Sequence, residues 1–304
     1  MQMSLTLQRS GSSAESIAEL AHLGVLRFSG SDAAGFLQGQ LTCDVENLAV
    51  GSGTFGAWCS PKGRMLASFL LWRREQEFFM ALPREMLPFV LKRISVFVLR
   101  SKVTIADVSS SMTLLGLSGS KADAAARLAT PFANAIALKD GRIVLAADAA
   151  GAPLPRQRME SLLEPVDAQT WRWLDIRNGV PWITAATQDQ LVPQMANLEL
   201  LGGVSFQKGC YTGQEIVART QHLGKLKRRM FLANVGAPAM AGDGLYGADV
   251  GQANGIVVNA EESPDGGHDL LAVVQSESRE KSVVHLRSLD GPALRFLPLP
   301  YSLA

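Results

Sequence analysis

Cysteine and histidine are scarce in this chain, with three Cys and four His among 304 residues. The thiols, Cys43, Cys59 and Cys210, are odd in number and far apart. No CxxC pair and no Cys/His cluster at ligand spacing occurs, which argues against a disulfide framework and against a self-contained zinc or iron–sulfur site. A reducing cytoplasm is the simplest compartment. No apolar run is long enough to cross a bilayer, and the longest candidate, residues 65–72, has the length of a strand. Residues 1–19 are polar and lack the apolar centre of a secretory signal. Neither sign of charge dominates, with 29 Lys and Arg against 28 Asp and Glu. Global steering toward nucleic acid is therefore not expected, although a local patch remains open. No general acid–base pair and no nucleophilic triad stands out.

What is present is an alternation of strands and helices long enough for two or three domains. Residues 1–17, rich in Ser and Gln, are expected to fray. A short strand at 25–28 leads to a helix capped by Ser31 or Asp32 and running to about residue 41. That helix carries Gln38 and Gln40 near its end and delivers Asp44 just beyond. Asp44 reads either as a turn carboxylate or as a functional group. Strands at 54–59 and 64–72 flank Ser60-Pro61-Lys62-Gly63, a hairpin signal whose tip is either solvated or an anion contact through Lys62 and Arg64. A strand at 78–82, a helix over 84–99 with apolar residues at helical period, and a strand at 102–108 complete an α+β unit. The pattern recurs loosely. A strand at 112–117 and an Ala-rich helix at 118–130 precede a hairpin over 136–146, which turns at Asp140-Gly141. Helices follow near 156–163 and from Asp167 to Gly179. Residues 181–204 show little periodicity. They read as a surface loop or as a pocket lining that offers Asp189, Gln194 and Asn197 as donors and acceptors. From Met230 onward, short strands separated by Gly, Pro, Asn and Asp suggest a small antiparallel barrel as a separate unit.

The densest chemistry lies in Lys208-Gly209-Cys210-Tyr211-Thr212-Gly213-Gln214-Glu215. Eight residues hold a cation, two glycines, a thiol, a phenol, an amide and a carboxylate. Gly209 and Gly213 free the backbone to turn or to approach a ligand. Lys208 and exposed amides would favour a Cys210 thiolate, a nucleophile and a soft iron ligand. The plainer reading makes Cys210 a small buried residue. Tyr211 and Gln214 are candidate anchors, and Glu215 is a partner for Lys208 or Arg219. Trp171 offers a flat apolar face and one N–H donor, and is either core or a platform for a bicyclic ligand. Arg219, His222, Lys225, Lys227, Arg228 and Arg229 form the most basic cluster. They read as a solvated strand face or as a contact for a polyglutamate tail, a phosphate backbone or a partner protein.

The octapeptide closely resembles the signature of the YgfZ family of folate-binding proteins, relatives of the glycine-cleavage T-protein. The Gln38-Gly39-Gln40-Leu41-Thr42-Cys43-Asp44-Val45 block, the Ser60-Pro61-Lys62-Gly63-Arg64-Met65 turn, the stretch 183–203 and the Leu-Pro-Tyr-Ser-Leu end at 299–303 resemble further family blocks, in order along nearly the whole chain. The resemblance implies an α+β, T-protein-like fold with two interleaved antiparallel-sheet units plus a C-terminal barrel. Residues 18–50 would pair with 110–223, residues 51–109 would form the second unit, and 224–304 the barrel. It implies tetrahydrofolate or a one-carbon derivative in a central cleft, with Gln40, Asp44, Trp171, Asp189, Gln194, Asn197, Lys208, Gly209, Tyr211, Gly213, Gln214, Glu215 and Arg219 around it and Cys210 as the reactive group. Leu23 stands where the family has a second folate-contacting tryptophan, and Asp189 is a weak substitute for the T-protein's folate-binding glutamate. The implied role is support of iron–sulfur enzymes, or of the carriers that supply them, including enzymes that methylthiolate tRNA. A folate-dependent aminomethyltransferase or demethylase and a non-enzymatic docking module for tRNA or protein are the rivals.

Overall fold

The computed structural model describes residues 15–130, 132–150, 154–222, 226–247 and 253–303. The chain opens with β1 (Ser16–Glu19), β2 (Leu23–Ser29) and α1 (Ala33–Gln38). Next come β3 (Gly53–Cys59), β4 (Met65–Arg74), β5 (Glu77–Pro83), a 3-10 turn (Arg84–Met86), α2 (Leu87–Ser95) and β6 (Thr104–Asp107). The middle holds β7 (Met112–Ser118), α3 (Ala122–Ala129), β8 (Ala133–Ala137), β9 (Ile143–Asp148), α4 (Arg156–Glu160), β10 (Glu164–Val166) and α5 (Ala168–Arg177). A 3-10 turn at Pro193–Ala196 and α6 (Gln214–His222) lead into β11 (Arg228–Val235), β12 (Gly244–Gly247), β13 (Gly255–Glu262) and β14 (His268–Gln275). The chain closes with α7 (Ser276–Lys281), β15 (Val284–Leu286) and β16 (Arg295–Leu297).

Among the described residues, three sheets result. The first runs β3-β4-β5-β2-β6, the second β10-β1-β7-β9-β8, and the third β15-β12-β13-β14-β11-β16. Every ladder is antiparallel except β1 against β10. In the third sheet, His285 bridges Ala293 just before β16, so the sheet curls back on itself as a half-barrel. Each sheet turns one face to a common core that joins Val25 and Trp72 of the first, Leu114 and Val144 of the second, and Leu232 and Leu271 of the third. The opposite faces are covered separately. α1 and α2 bring Leu37, Val90 and Ile94 onto the first sheet, and α3 brings Ala122, Ala125 and Ala129 onto the second. Strands covered on both faces read as continuous apolar runs, which is why β2 and β4 lack clean alternation.

Three details differ from the sequence expectation. Residues 16 and 17 are not frayed, because β1 is clamped between β7 and β10. The strand Leu23–Ser29 falls in the stretch expected to pair with 110–223, but it pairs with β5 and β6 instead. Its alternate residues feed both the first sheet's own helix-covered core and the common core, so that position satisfies both of its faces. The helix expected over 84–99 ends at Ser95, and Leu99 takes a left-handed φ of 45° in the turn that follows. The stretch 181–204, open to reading as a surface loop or as a pocket lining, is largely interior, with Ile183, Ala196 and Leu198 in the common core.

The C-terminal stretch is tied back to α5. Gly179 ends the helix region with φ 65°, and the Tyr301 hydroxyl donates to its carbonyl at 2.9 Å while receiving Asn197 Nδ2 at 3.5 Å. A side chain at Gly179 would collide with the Tyr301 ring. Tyr301→Phe removes both of these part-buried hydrogen bonds, the second a long one, and is expected to cost about 1–2 kcal/mol in urea unfolding. An unchanged midpoint would show that the tail does not brace the α5 terminus.

Candidate functional site

The octapeptide is placed by its lysine. Lys208 Nζ donates to Gln38 O at 2.6 Å, Leu41 O at 2.6 Å and Cys43 O at 3.0 Å. Gln38 O is the last carbonyl of α1, which lacks a helical partner, and Leu41 O and Cys43 O belong to the turn that follows it. The ammonium thus acts as a remote cap, and burial holds its pKa below the usual lysine range. It also sits 5.0 Å from the Tyr211 ring. Tyr211 is buried, and desolvation raises its phenol. Around the same exit, Gln38 Nε2 donates to Asp44, Asp44 accepts from Asn47 Nδ2 at 2.8 Å, and Gln40 accepts weakly from the Trp58 indole at 3.4 Å. Hydrogen bonding lowers Asp44's pKa, Asn47 contributing most. Asp44 therefore closes a turn here, as its spacing allowed.

The octapeptide's glycine is placed by the hairpin between β3 and β4. Gly213 (φ 83°) and Gly63 (φ 68°) lie against one another. A Cβ on Gly213 would strike Ser60 O, and one on Gly63 would strike Ile216. Ser60 Oγ donates to Asp189 at 2.8 Å, and Asp189 N donates to Met65 O. Gln214 and Glu215 open α6, where a carboxylate complements the helix N-terminus. Glu215 makes no ion pair among the described residues; Lys208 is held by the three carbonyls instead. Gln194 and Asn197 are fully buried and hold backbone: Gln194 Nε2 bonds Val217 O at 2.6 Å, and Asn197 Nδ2 bonds Met230 O at 2.8 Å. Arg229 turns inward to Glu199, so it leaves the basic cluster. Arg219, Lys227 and Arg228 are exposed, while Lys225 and the His222 side chain lie outside the described residues. Cys210 is exposed, as is Gly209, whereas Cys43 and Cys59 are buried. Burial pushes the Cys43 thiol up to about 12 and raises Cys59 as well.

A cavity of about 400 Å³ lies elsewhere, where Leu23 of β2, the 3-10 turn before α2, α5, residues 180–184 and β13 meet. That volume is in the range of small-ligand pockets. Trp182 and Ile176 give it apolar wall, and Asp175 and Asn259 give it polar wall. The Trp182 indole donates to Asp175 at 2.8 Å, and Asp175 pairs with Arg142 at 2.8 Å. Burial pushes the Asp175 carboxyl up against the pull of Arg142. None of the residues singled out for the site lines this cavity. Trp171 is 2% exposed and lies beneath Arg142, whose guanidinium sits 4.6 Å from the ring, with Gly116 on its flank. Trp171 is thus one layer behind the wall and supports the arginine that holds Asp175. The single crevice expected to hold all these groups resolves into two places, a cavity and an octapeptide surface. Sequence reading missed Trp182, Asp175 and Asn259. The carboxylate inside the apolar run Trp173-Leu174-Asp175-Ile176 was the one legible signal for a polar group held within the core.

The model of the GCVT N-terminal domain matches residues 11–140. The tRNA-modifying protein YgfZ of Sodalis glossinidius (strain morsitans) is 31% identical over 306 aligned positions, which cover 94% of this chain and 93% of the relative. The chain belongs to the YgfZ family. Its fold is that of the glycine cleavage system aminomethyltransferase T from Bartonella henselae, matched with a TM-score of 0.74 at 18% identity over 95% of this chain and 87% of the other. The YgfZ assignment and the α+β, T-protein-like fold with its curled C-terminal sheet agree with the sequence reading. Among the described residues no helix is long and apolar enough to cross a membrane.

Two measurements test this geometry. Lys208→Met leaves the α1 exit without its cap and is expected to cost about 2–3 kcal/mol. Thiol labelling of the folded wild type should modify Cys210 alone, and Lys208→Met should add Cys43; identical labelling of both proteins would exclude the capping role. The second concerns His22 at the cavity wall, whose pKa is lowered to about 4 by burial and by Arg172. A depressed folded pKa means the unfolded chain binds the extra proton. The stability His22 contributes is therefore complete above about pH 6.5 and is lost as pH falls toward 4. Between pH 7 and 4.5 the wild type should lose about 2 kcal/mol more than His22→Leu in denaturant titrations. Parallel pH curves would show that the imidazole is already solvated.

Proposed function

We propose that this chain is a folate-binding, YgfZ-type protein that holds tetrahydrofolate or a one-carbon derivative in the cavity beside Trp182. In that role it supports synthesis or repair of iron–sulfur enzymes, including those that act on tRNA. The observation that carries the reading is the cavity itself, where strands of the first and third sheets meet α5 around an indole wall. The residues fit the group. Trp182 and Ile176 offer flat and aliphatic surface, and Leu23, at the position of the family's second tryptophan, lines the same wall. Leucine removes one aromatic face, so Trp182 is the remaining platform. Asp175 and Asn259 are fixed by Arg142 and by the Trp182 backbone, so they meet a ligand without reorganising. Bound tetrahydrofolate supplies a reduced pterin able to carry a one-carbon unit.

Cys210 is related to the cavity by the first sheet. Leu23 pairs with Pro83, and Ala81 with Leu70, so the Leu23 end of β2 and the Met65 end of β4 lie along one edge. The hairpin that seats Gly213 extends beyond that edge, on strands separated from β2 by β5. Cys210 is thus offered to a partner macromolecule outside the cavity. The name of the Sodalis relative, a tRNA-modifying protein, and the resemblance of the octapeptide favour an iron–sulfur enzyme or cluster carrier as that partner.

Titration with tetrahydrofolate, followed by tryptophan fluorescence, tests the reading. Saturable binding is expected, weakened at least about tenfold by Trp182→Ala through loss of its aromatic surface. Cys210→Ser should bind folate as the wild type does yet fail to restore tRNA methylthiolation in a strain lacking the gene. No saturable binding, or full restoration by Cys210→Ser, would defeat the corresponding half of the proposal.

A further inference from the structure

The polar side chains of the cavity wall are almost all committed within the protein. Arg84 donates to Ala21 O and Leu23 O, and Glu85 accepts from Ala185 N. Arg172 pairs with Glu261, Asp175 is held by Arg142 and Trp182, and Asn259 makes two bonds to the Trp182 backbone. His22 is different. Both of its ring nitrogens are buried without a hydrogen-bond partner, while the residue lines the cavity and is only half-buried overall. An unpartnered buried imidazole costs stability unless something supplies the missing bond. A half-turn about Cβ–Cγ exchanges ring nitrogens with ring carbons without changing the shape of the side chain, so the polar edge can be presented to the cavity.

We infer that His22 is the group in this wall that hydrogen-bonds the polar heteroaromatic edge of the bound ligand and so fixes its orientation. The inference rests on the folate reading above. A neutral imidazole offers one donor and one acceptor, which matches an edge where ring N–H and ring N or C=O alternate. Arg172 beside it disfavours the protonated form, and Arg84, Glu85, Asp175 and Glu261 share the wall with it. His22 acts as a neutral partner at neutral pH, so it reads hydrogen-bonding pattern rather than charge. It adjoins Leu23, where the flat face expected from the family is absent. A directional bond at residue 22 compensates for reduced stacking at residue 23.

The test titrates the full chain with 5-formyltetrahydrofolate, comparing wild type with His22→Leu and His22→Gln. His22→Leu should weaken binding about tenfold, while His22→Gln, which keeps a donor and an acceptor, should stay within about threefold of wild type. Histidine labelled with nitrogen-15 gives a direct readout, because only four histidines occur in the chain. The His22 ring signals should shift on ligand addition and remain those of a neutral ring from pH 6 to 8. Wild-type binding that survives His22→Leu, or ring signals that do not move, overturns this inference and leaves the folate reading standing. No binding by the wild type overturns both. A loss of affinity shared equally by Leu and Gln, with unmoved ring signals, assigns His22 a packing role and overturns the inference.

Discussion

One ammonium group sets the register of the octapeptide. α1 spans only six residues, and its Gly39 terminus is right-handed at φ −79°, so no left-handed cap closes it. The helix exit therefore presents carbonyls that need donors. Lys208 has three N–H groups and meets three of them. No other charged side chain has that count of donors on a single atom, and arginine's planar fork cannot converge on three oxygens leaving a helix end. The contact spans more than 160 residues of chain, and the octapeptide cannot shift without uncapping the helix. From there the backbone reaches Gly213, which is locked a second time by its contact with Gly63. Cys210 lies between the two fixed points. Its exposure is thus imposed by the residues on either side of it, and its neighbours serve placement.

A second constraint shapes the cavity. Arg142 and Asp175 are both about 3% exposed, a buried ion pair at 2.8 Å that stands because further groups hold both charges. Asp140 holds the guanidinium from one side, the Trp171 ring supports its face, and the Trp182 indole completes the carboxylate. Removing Arg142 strands Asp175 in the core, whereas removing Asp175 leaves the guanidinium paired with Asp140 alone. The wall of the cavity is accordingly rigid where Asp175 and Trp182 meet. Trp171 is therefore linked to the cavity wall through the chain of contacts Trp171, Arg142, Asp175, Trp182, and not through its own face.

The fold was largely legible because its signals are local. Asp140-Gly141 made the β8–β9 turn, Asp167 capped α5 through Thr170 N, and Gly179 ended it with a positive φ. The elements that escaped are those whose order comes from tertiary contact. β1, β10 and β12 have three or four residues and no room for a period, and they exist because neighbours supply the ladder. The site was legible in a different sense. The ordered blocks at 38–45, 60–65 and 208–215 do converge, since Lys208 binds the first and Gly213 the second. What sequence could not give is the direction in which each side chain points. Trp171 and Asp175 stand one helical turn apart on α5, yet one is sealed under a guanidinium while the other reaches a cavity.

The separation of cavity and thiol follows from how residues 181–191 are tethered. Trp182 is fixed to Asn259 of the third sheet, Ile183 N to Ser68 of the first, and Ala185 N to Glu85 beside the cavity. The same segment then runs outward to Asp189, which grips Ser60 and Met65 at the hairpin under Gly213. One strap thus bonds the cavity wall at one end and the seat of the octapeptide at the other. Its backbone is pinned to two sheets, so a ligand pressing on Trp182 meets a segment that cannot yield locally. The strap ends at the Ser60–Gly63 turn, where two glycines lie in contact. A path of hydrogen bonds, and not proximity, is what connects the cavity wall to the surface that carries Cys210.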